Sequence, residues 1–232
     1  MKVKTFWVGC GLALGAGMFW AVSGGEKLAL PWSAWQGGLI ERHGEEEGRH
    51  LLAEAMRRWR ALVASYPQPL PKPPLRNHLV NNILTGLALY QTLLEAHGGD
   101  GPAALAEIEP LFHTWTQALY GGLMKTFHRL PFVFWFFRLG IVANMFGFST
   151  ETWRTTWLED NSRRVAFDHF KCPYVDTLAH YEAPELTPYF CKIDDWMAEM
   201  LPPSIAFKRT QTLANGGEYC DFCYERIQKK SK

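Results

Sequence analysis

An α+β fold is predicted for this chain by three observations: an uncharged stretch at the N-terminus, apolar residues recurring at helical spacing through the middle, and alternating runs after residue 150. The expected order is an N-terminal membrane helix, a helical layer, and then a small antiparallel sheet with a C-terminal hairpin. Residues 1–25 read as a membrane anchor or a signal peptide, 26–38 as a linker, 39–149 as the helical part and 150–232 as the α+β part.

Lys2 and Lys4 precede Phe6 to Ser23, eighteen residues without a charge. That length suits a short membrane span, and the basic side before it with Glu26, Glu41, Glu45, Glu46 and Glu47 after it sets the N-terminus inside. The globular part then faces the periplasm or exterior. Ala21-Val22-Ser23 offers the competing cleavage site of a signal peptide. Gly11-x-x-x-Gly15 gives the span a face of small residues. In the linker, Trp32 and Trp35 suit the depth of lipid headgroups.

Leu51, Leu52, Ala55, Met56, Trp59, Leu62 and Val63 fall on one side of a helix over 39–65, which the Pro-rich segment after Tyr66 ends. A second helix spans Asn77 to His97, opening with a polar cluster of Asn77, His78, Asn81 and Asn82 in which Asn77 and Asn81 stand one turn apart. Gly98-Gly99-Asp100-Gly101-Pro102 breaks it. A third runs from Ala103 to Leu123. Residues 131–148 are dense in Phe and Trp, but Arg138 interrupts them, so a helix in the domain or in the interface is expected rather than a second crossing. Arg163 to Phe170 alternates as a strand. Pro173 to Leu201 is partly helical. Ile205 to Leu213 and Tyr219 to Arg226 alternate across Asn215-Gly216-Gly217, a hairpin signal.

Composition narrows the partners. The net charge of +1, from 24 basic and 23 acidic residues, provides no field for nucleic acid. Ten Trp and fifteen Phe exceed the needs of a core and point to membrane lipid or an apolar ligand. Five cysteines do not make a purely disulfide framework, and four of them follow residue 170, where chemistry concentrates. Cys10 belongs to the span.

Cys220-Asp221-Phe222-Cys223 has the spacing of a metal knuckle or redox pair. In a strand, however, Cys220, Phe222 and Tyr224 share one face while Asp221 and Cys223 share the other, so the two thiols do not converge. Glu182, Glu185, Asp194 and Asp195 flank Cys191, and carboxylates in unlike environments suit paired general-base and general-acid work. His169, close to Cys172, is either its proton partner or a satisfied strand histidine. Arg209 and Thr210 present donors for a substrate carboxylate, with a cross-strand ion pair as the plainer role of Arg209.

Three short signatures carry a resemblance: Asp168-His169-Phe170-Lys171-Cys172-Pro173-Tyr174, Pro184-Glu185-Leu186-Thr187-Pro188-Tyr189-Phe190-Cys191-Lys192-Ile193-Asp194-Asp195, and Arg209 through Gly216-Gly217-Glu218-Tyr219-Cys220-Asp221-Phe222. The chain resembles the L-2-amino-thiazoline-4-carboxylic acid hydrolase family from about residue 40 to 226. The resemblance implies that Cys172, Cys191 and Cys220 belong together, with Glu185 and Asp194 as the supported carboxylates. Such thiols serve as nucleophiles, as ligands of a thiolate-bound metal, or as small buried hydrophobes. The implied function is a membrane-tethered hydrolase of a non-peptide C–N bond in a small thiazoline-like substrate. A non-catalytic, membrane-anchored accessory subunit, held by other membrane subunits, is the alternative class.

Overall fold

A computed structural model describes residues 31–145, 148 and 150–227 of the 232. The expected anchor over 1–25, with Cys10, lies outside the described residues. The chain forms two compact units that interleave in sequence: a helical unit of Ala29–Gly122 and Pro173–Glu199, and a sheet unit built on Leu123–Cys172 and Met200–Lys232.

The helical unit starts with α1 (Trp32–His43) and α2 (Glu45–Ser65). Trp32, Trp35 and Leu39 repeat at helical spacing and are buried, Trp32 at 8% exposure and Trp35 at 0%. The linker expectation therefore fails from residue 32 onward, because these indoles fill the core instead of meeting lipid. Trp35 stacks on Phe112 (5.7 Å) and meets Trp32 edge-on (5.4 Å). The helix expected over 39–65 is two helices, broken at Gly44, whose φ of +83° is open to glycine at little cost. Glu45, Glu46 and Glu47 then fill the first turn of α2, where the helix dipole favours negative charge.

Close approach between these helices depends on Gly48. A Cβ there would stand 2.7 Å from Ile40 Cα and N and 2.8 Å from Leu39 C, all backbone atoms that cannot rotate away. Gly48→Ala is expected to cost about 2 kcal/mol through overpacking, read as a lowered unfolding midpoint in denaturant.

Beyond the Pro-rich connector come α3 (Leu75–Asn77), a π-helical stretch (His78–Ile83) and α4 (Leu84–Ala96), which together match the expected second helix. Leu84, Leu87, Leu89 and Leu93 are fully buried, making α4 the centre of the unit. Asp100 caps α5 (Gly101–Phe127), its Oδ1 accepting from Ala103 N at 3.0 Å. Later in the chain, α7 (Pro173–His180), a 3₁₀ turn (Pro184–Leu186) and α8 (Thr187–Glu199) return to this unit, where Phe190 packs on Phe112 (5.0 Å).

In the sheet unit, α6 (Val133–Met145) is the aromatic segment; Phe137 packs on Tyr224 at 5.0 Å. Arg138, the charge that spoiled a crossing, is matched by Asp160, with Nε to Oδ1 at 2.5 Å and Nη2 to Oδ2 at 3.1 Å. No helix among the described residues is long and apolar enough to cross a membrane. The strands are β1 (Thr155–Asp160), β2 (Arg164–His169), β3 (Ile205–Lys208) and β4 (Cys220–Arg226), antiparallel in the order β1-β2-β4-β3. β1 was not foreseen, since a bulge between Trp157 and Glu159 breaks its alternation.

The hairpin forms, but not with the short turn expected. The β3–β4 ladder ends at Lys208↔Cys223, and residues 209–219 make a loop. Asp221 captures Thr210 N (2.9 Å) and Gln211 N (2.7 Å), drawing the chain out of the ladder before Leu213. Gly216, at φ +79°, closes a 3₁₀ turn (Leu213–Asn215) in that loop.

Candidate active site

Strand pairing brings His169 directly opposite Cys220 on β4, so the two side chains share a face. Phe222, two residues along β4, meets the His169 ring edge-on at 5.4 Å. The Arg209 guanidinium lies over the Phe222 ring at 5.5 Å and over Phe207 at 5.7 Å. Three residues singled out from sequence thus gather on one end of one sheet face: a histidine, a thiol and an arginine. The sequence had paired His169 with Cys172. The ladder instead gives His169 a cross-strand neighbour.

His169 is 8% exposed and sits among Phe167, Phe222 and Thr155. Burial among these rings holds its pKa down to about 4, so the imidazole is neutral at pH 7. Thr155 Oγ1 stands 2.8 Å from Nδ1 and 3.4 Å from Trp153 O. A hydroxyl donating to that carbonyl accepts from Nδ1–H, which leaves the lone pair on Nε2. Cys220 is also buried, and its Sγ accepts from Leu213 N at 3.2 Å. Cys223 points away, with Arg164 Nε 3.1 Å from its sulfur, as the alternation of the strand requires.

The opposite face carries a carboxylate pair, Asp168 and Asp221, again register partners. Burial, then the charge of Asp221, push the Asp168 pKa up. Burial also acts to raise Asp221, but Gln211 N, Thr210 Oγ1 (2.7 Å) and Thr210 N outweigh it and hold the carboxyl below its ordinary value. The Thr210 hydroxyl, read as a substrate donor, is engaged with Asp221. By gripping Thr210 and Gln211, Asp221 fixes the backbone that carries Arg209. Sequence alone did not find this pair, because nothing local announces that β2 lies beside β4.

Glu185, Cys191 and Asp194 belong to the helical unit, whereas Cys172 and Cys220 belong to the sheet unit. Glu185 is exposed and accepts from Tyr90 Oη at 2.5 Å; burial and this carboxylate push the Tyr90 phenol above its usual range. Asp194 lies on α8, where, after burial, its charge helps push the Tyr120 phenol up to about 12. Cys172 and Cys191 are half-buried thiols. Among the described residues, no group of three or more His, Cys, Asp or Glu is arranged to hold a metal ion.

The polar cluster read from the sequence gains a partner distant along the chain. His78 Nδ1 and Asn82 Nδ2 both reach Tyr174 Oη, at 2.8 and 3.0 Å. His78 and Asn82 belong to the cluster expected with Asn77 and Asn81; what the sequence did not carry is that Tyr174 lies against them. Burial holds the His78 pKa to about 4 as well.

The whole sequence decides the family: residues 76–224, more than half of the chain, match L-2-amino-thiazoline-4-carboxylic acid hydrolase. The chain belongs to this family. No curated protein and no solved structure matches it. The matched span starts within α3 and ends within β4, so α1 and α2 lie outside it although the resemblance had been drawn from about residue 40. Within it fall both faces of the sheet end and the His78–Tyr174 cluster.

These depressed histidines give the family member an acid-sensitive fold. Below pH 6.5 the unfolded chain binds protons that folded His169 refuses until about pH 4, so stability is complete above 6.5 and falls across that window. The expected loss from His169 alone is about 3 kcal/mol. Thermal melts across pH 7 to about 4 should show the decline, and His169→Asn should remove its share while that of His78 remains.

Proposed function

We propose that the chain hydrolyses a non-peptide C–N bond in a small cyclic amidine of the 2-amino-thiazoline-4-carboxylate type. Membership of the family over residues 76–224 carries this reading. The chemistry of the sheet end supports it. The Cys220 thiol adds to the carbon of the C=N bond, and the ring C–N bond then breaks to leave an S-linked enzyme adduct. Water adds to that carbon and displaces the thiol, so the net reaction consumes one water. Nε2 of neutral His169 takes the proton released, and the ring nitrogen receives it as the tetrahedral adduct opens. With a pKa of about 4 the imidazole keeps its Nε2 lone pair unprotonated at neutral pH, which an imidazolium would not.

Arg209 offers a planar fork to the substrate carboxylate. Its place over Phe222, beside His169, directs that carboxylate to the sheet end, and Asp221 holds the loop in register. Cys172, in the same unit, is the further thiol of the proposed site.

The test is turnover of 2-amino-thiazoline-4-carboxylate by the purified full chain, read as a product heavier by one water. Arg209→Lys is expected to raise KM about tenfold through loss of the bidentate contact. A substrate analogue lacking the carboxylate should not distinguish wild type from this variant. Equal losses on both substrates would remove the carboxylate role from Arg209.

A further inference from the structure

The elbow joining α5 to α6 exposes its aromatics. Phe132 is 79% and Trp135 42% exposed, whereas Phe134 and Phe137 between and beyond them are buried. Phe132 also adopts φ +56°, a left-handed backbone in which a bulky residue is strained. The fold holds this ring outward at a cost, although the same residue would avoid both strain and exposure in an ordinary helix start.

Charge around the elbow is one-sided. Residues 110–150 contain Lys125, Arg129 and Arg138 and not one Asp or Glu. Asp160, from β1, engages Arg138, while Lys125 and Arg129 are exposed just before the aromatic pair. Aromatic rings at an edge with cations behind them match the chemistry of a lipid headgroup layer, where rings enter the interface and cations meet phosphate.

We propose that this elbow docks on an anionic bilayer, seating Phe132 and Trp135 at headgroup depth with Lys125 and Arg129 over the phosphates. The elbow lies on the membrane and does not cross it: the 13 residues of α6 span about 20 Å, short of the roughly 30 Å of hydrocarbon. A second copy of the chain would bring the same positive charge to the surface, which disfavours it as the occupant.

The test uses the full chain grown with fluorotryptophan and reconstituted into phosphatidylglycerol–phosphatidylcholine vesicles carrying a nitroxide-labelled lipid. The Trp135 resonance is the one missing from Trp135→Phe. It should broaden beyond detection in these vesicles, persist in pure phosphatidylcholine, and return when Lys125→Glu and Arg129→Glu are combined. A Trp135 resonance untouched by the labelled lipid would overturn the proposal. Equal broadening in phosphatidylcholine would overturn it too, as would a shift that depends on protein concentration alone.

Discussion

His169→Asn is expected to lower kcat for ring opening about 10³-fold while leaving the fold in place. Asparagine keeps a polar nitrogen near the position of Nδ1 and so retains a partner for Thr155 Oγ1, which now stands 2.8 Å from that atom. What it removes is Nε2, the lone pair that accepts the proton. The pH profile separates this role from a structural one. In the wild type, activity falls on the acid side as the imidazole protonates near about 4, and the residual activity of the variant should lack that limb. Wild-type rates in His169→Asn would return this residue to the role of a satisfied strand histidine.

Glu107→Ala carries the largest expected cost to stability. Glu107 is 2% exposed, and its oxygens stand 2.6 Å from His43 Nε2 and 2.9 Å from His97 Nε2, with Arg42 Nη1 at 3.6 Å. His43 ends α1, His97 follows α4 and Glu107 lies on α5, so one buried carboxylate ties three helices. Removing it strands two ring nitrogens and leaves a hole, a loss of about 3 kcal/mol, or roughly 10 °C in Tm. Glu109→Ala is the control. Its partner Lys192 is bound at 2.7 Å, but both side chains are 40% exposed or more, so its loss should stay within about 1 kcal/mol. Similar effects of the two substitutions in a thermal melt would contradict this account of Glu107.

Periodicity read the helices well because their apolar faces are dictated by packing. The turns that bury Leu51 and Ala55, or Leu84 and Leu87, repeat in the sequence as they do in space. Trp32 and Trp35 were misplaced for a physical reason: an indole suits a core as well as a headgroup layer, and composition does not separate them. The family was also legible. What local pattern does not carry is pairing. That β4 inserts between β2 and β3 decides that His169 faces Cys220 and Asp168 faces Asp221. The β3–β4 loop was misread because Asn215-Gly216 is a hairpin signal only when the ladder reaches it. Here Asp221 ends the ladder first.

The central claim is that ring opening runs through the His169–Cys220 face of the sheet. Its most direct measurement is the initial rate of 2-amino-thiazoline-4-carboxylate opening by wild type, Cys220→Ala and Cys172→Ala, each first shown to melt cooperatively. The account predicts steady turnover in wild type and its loss in both variants. Full turnover in the folded Cys220→Ala protein would contradict it.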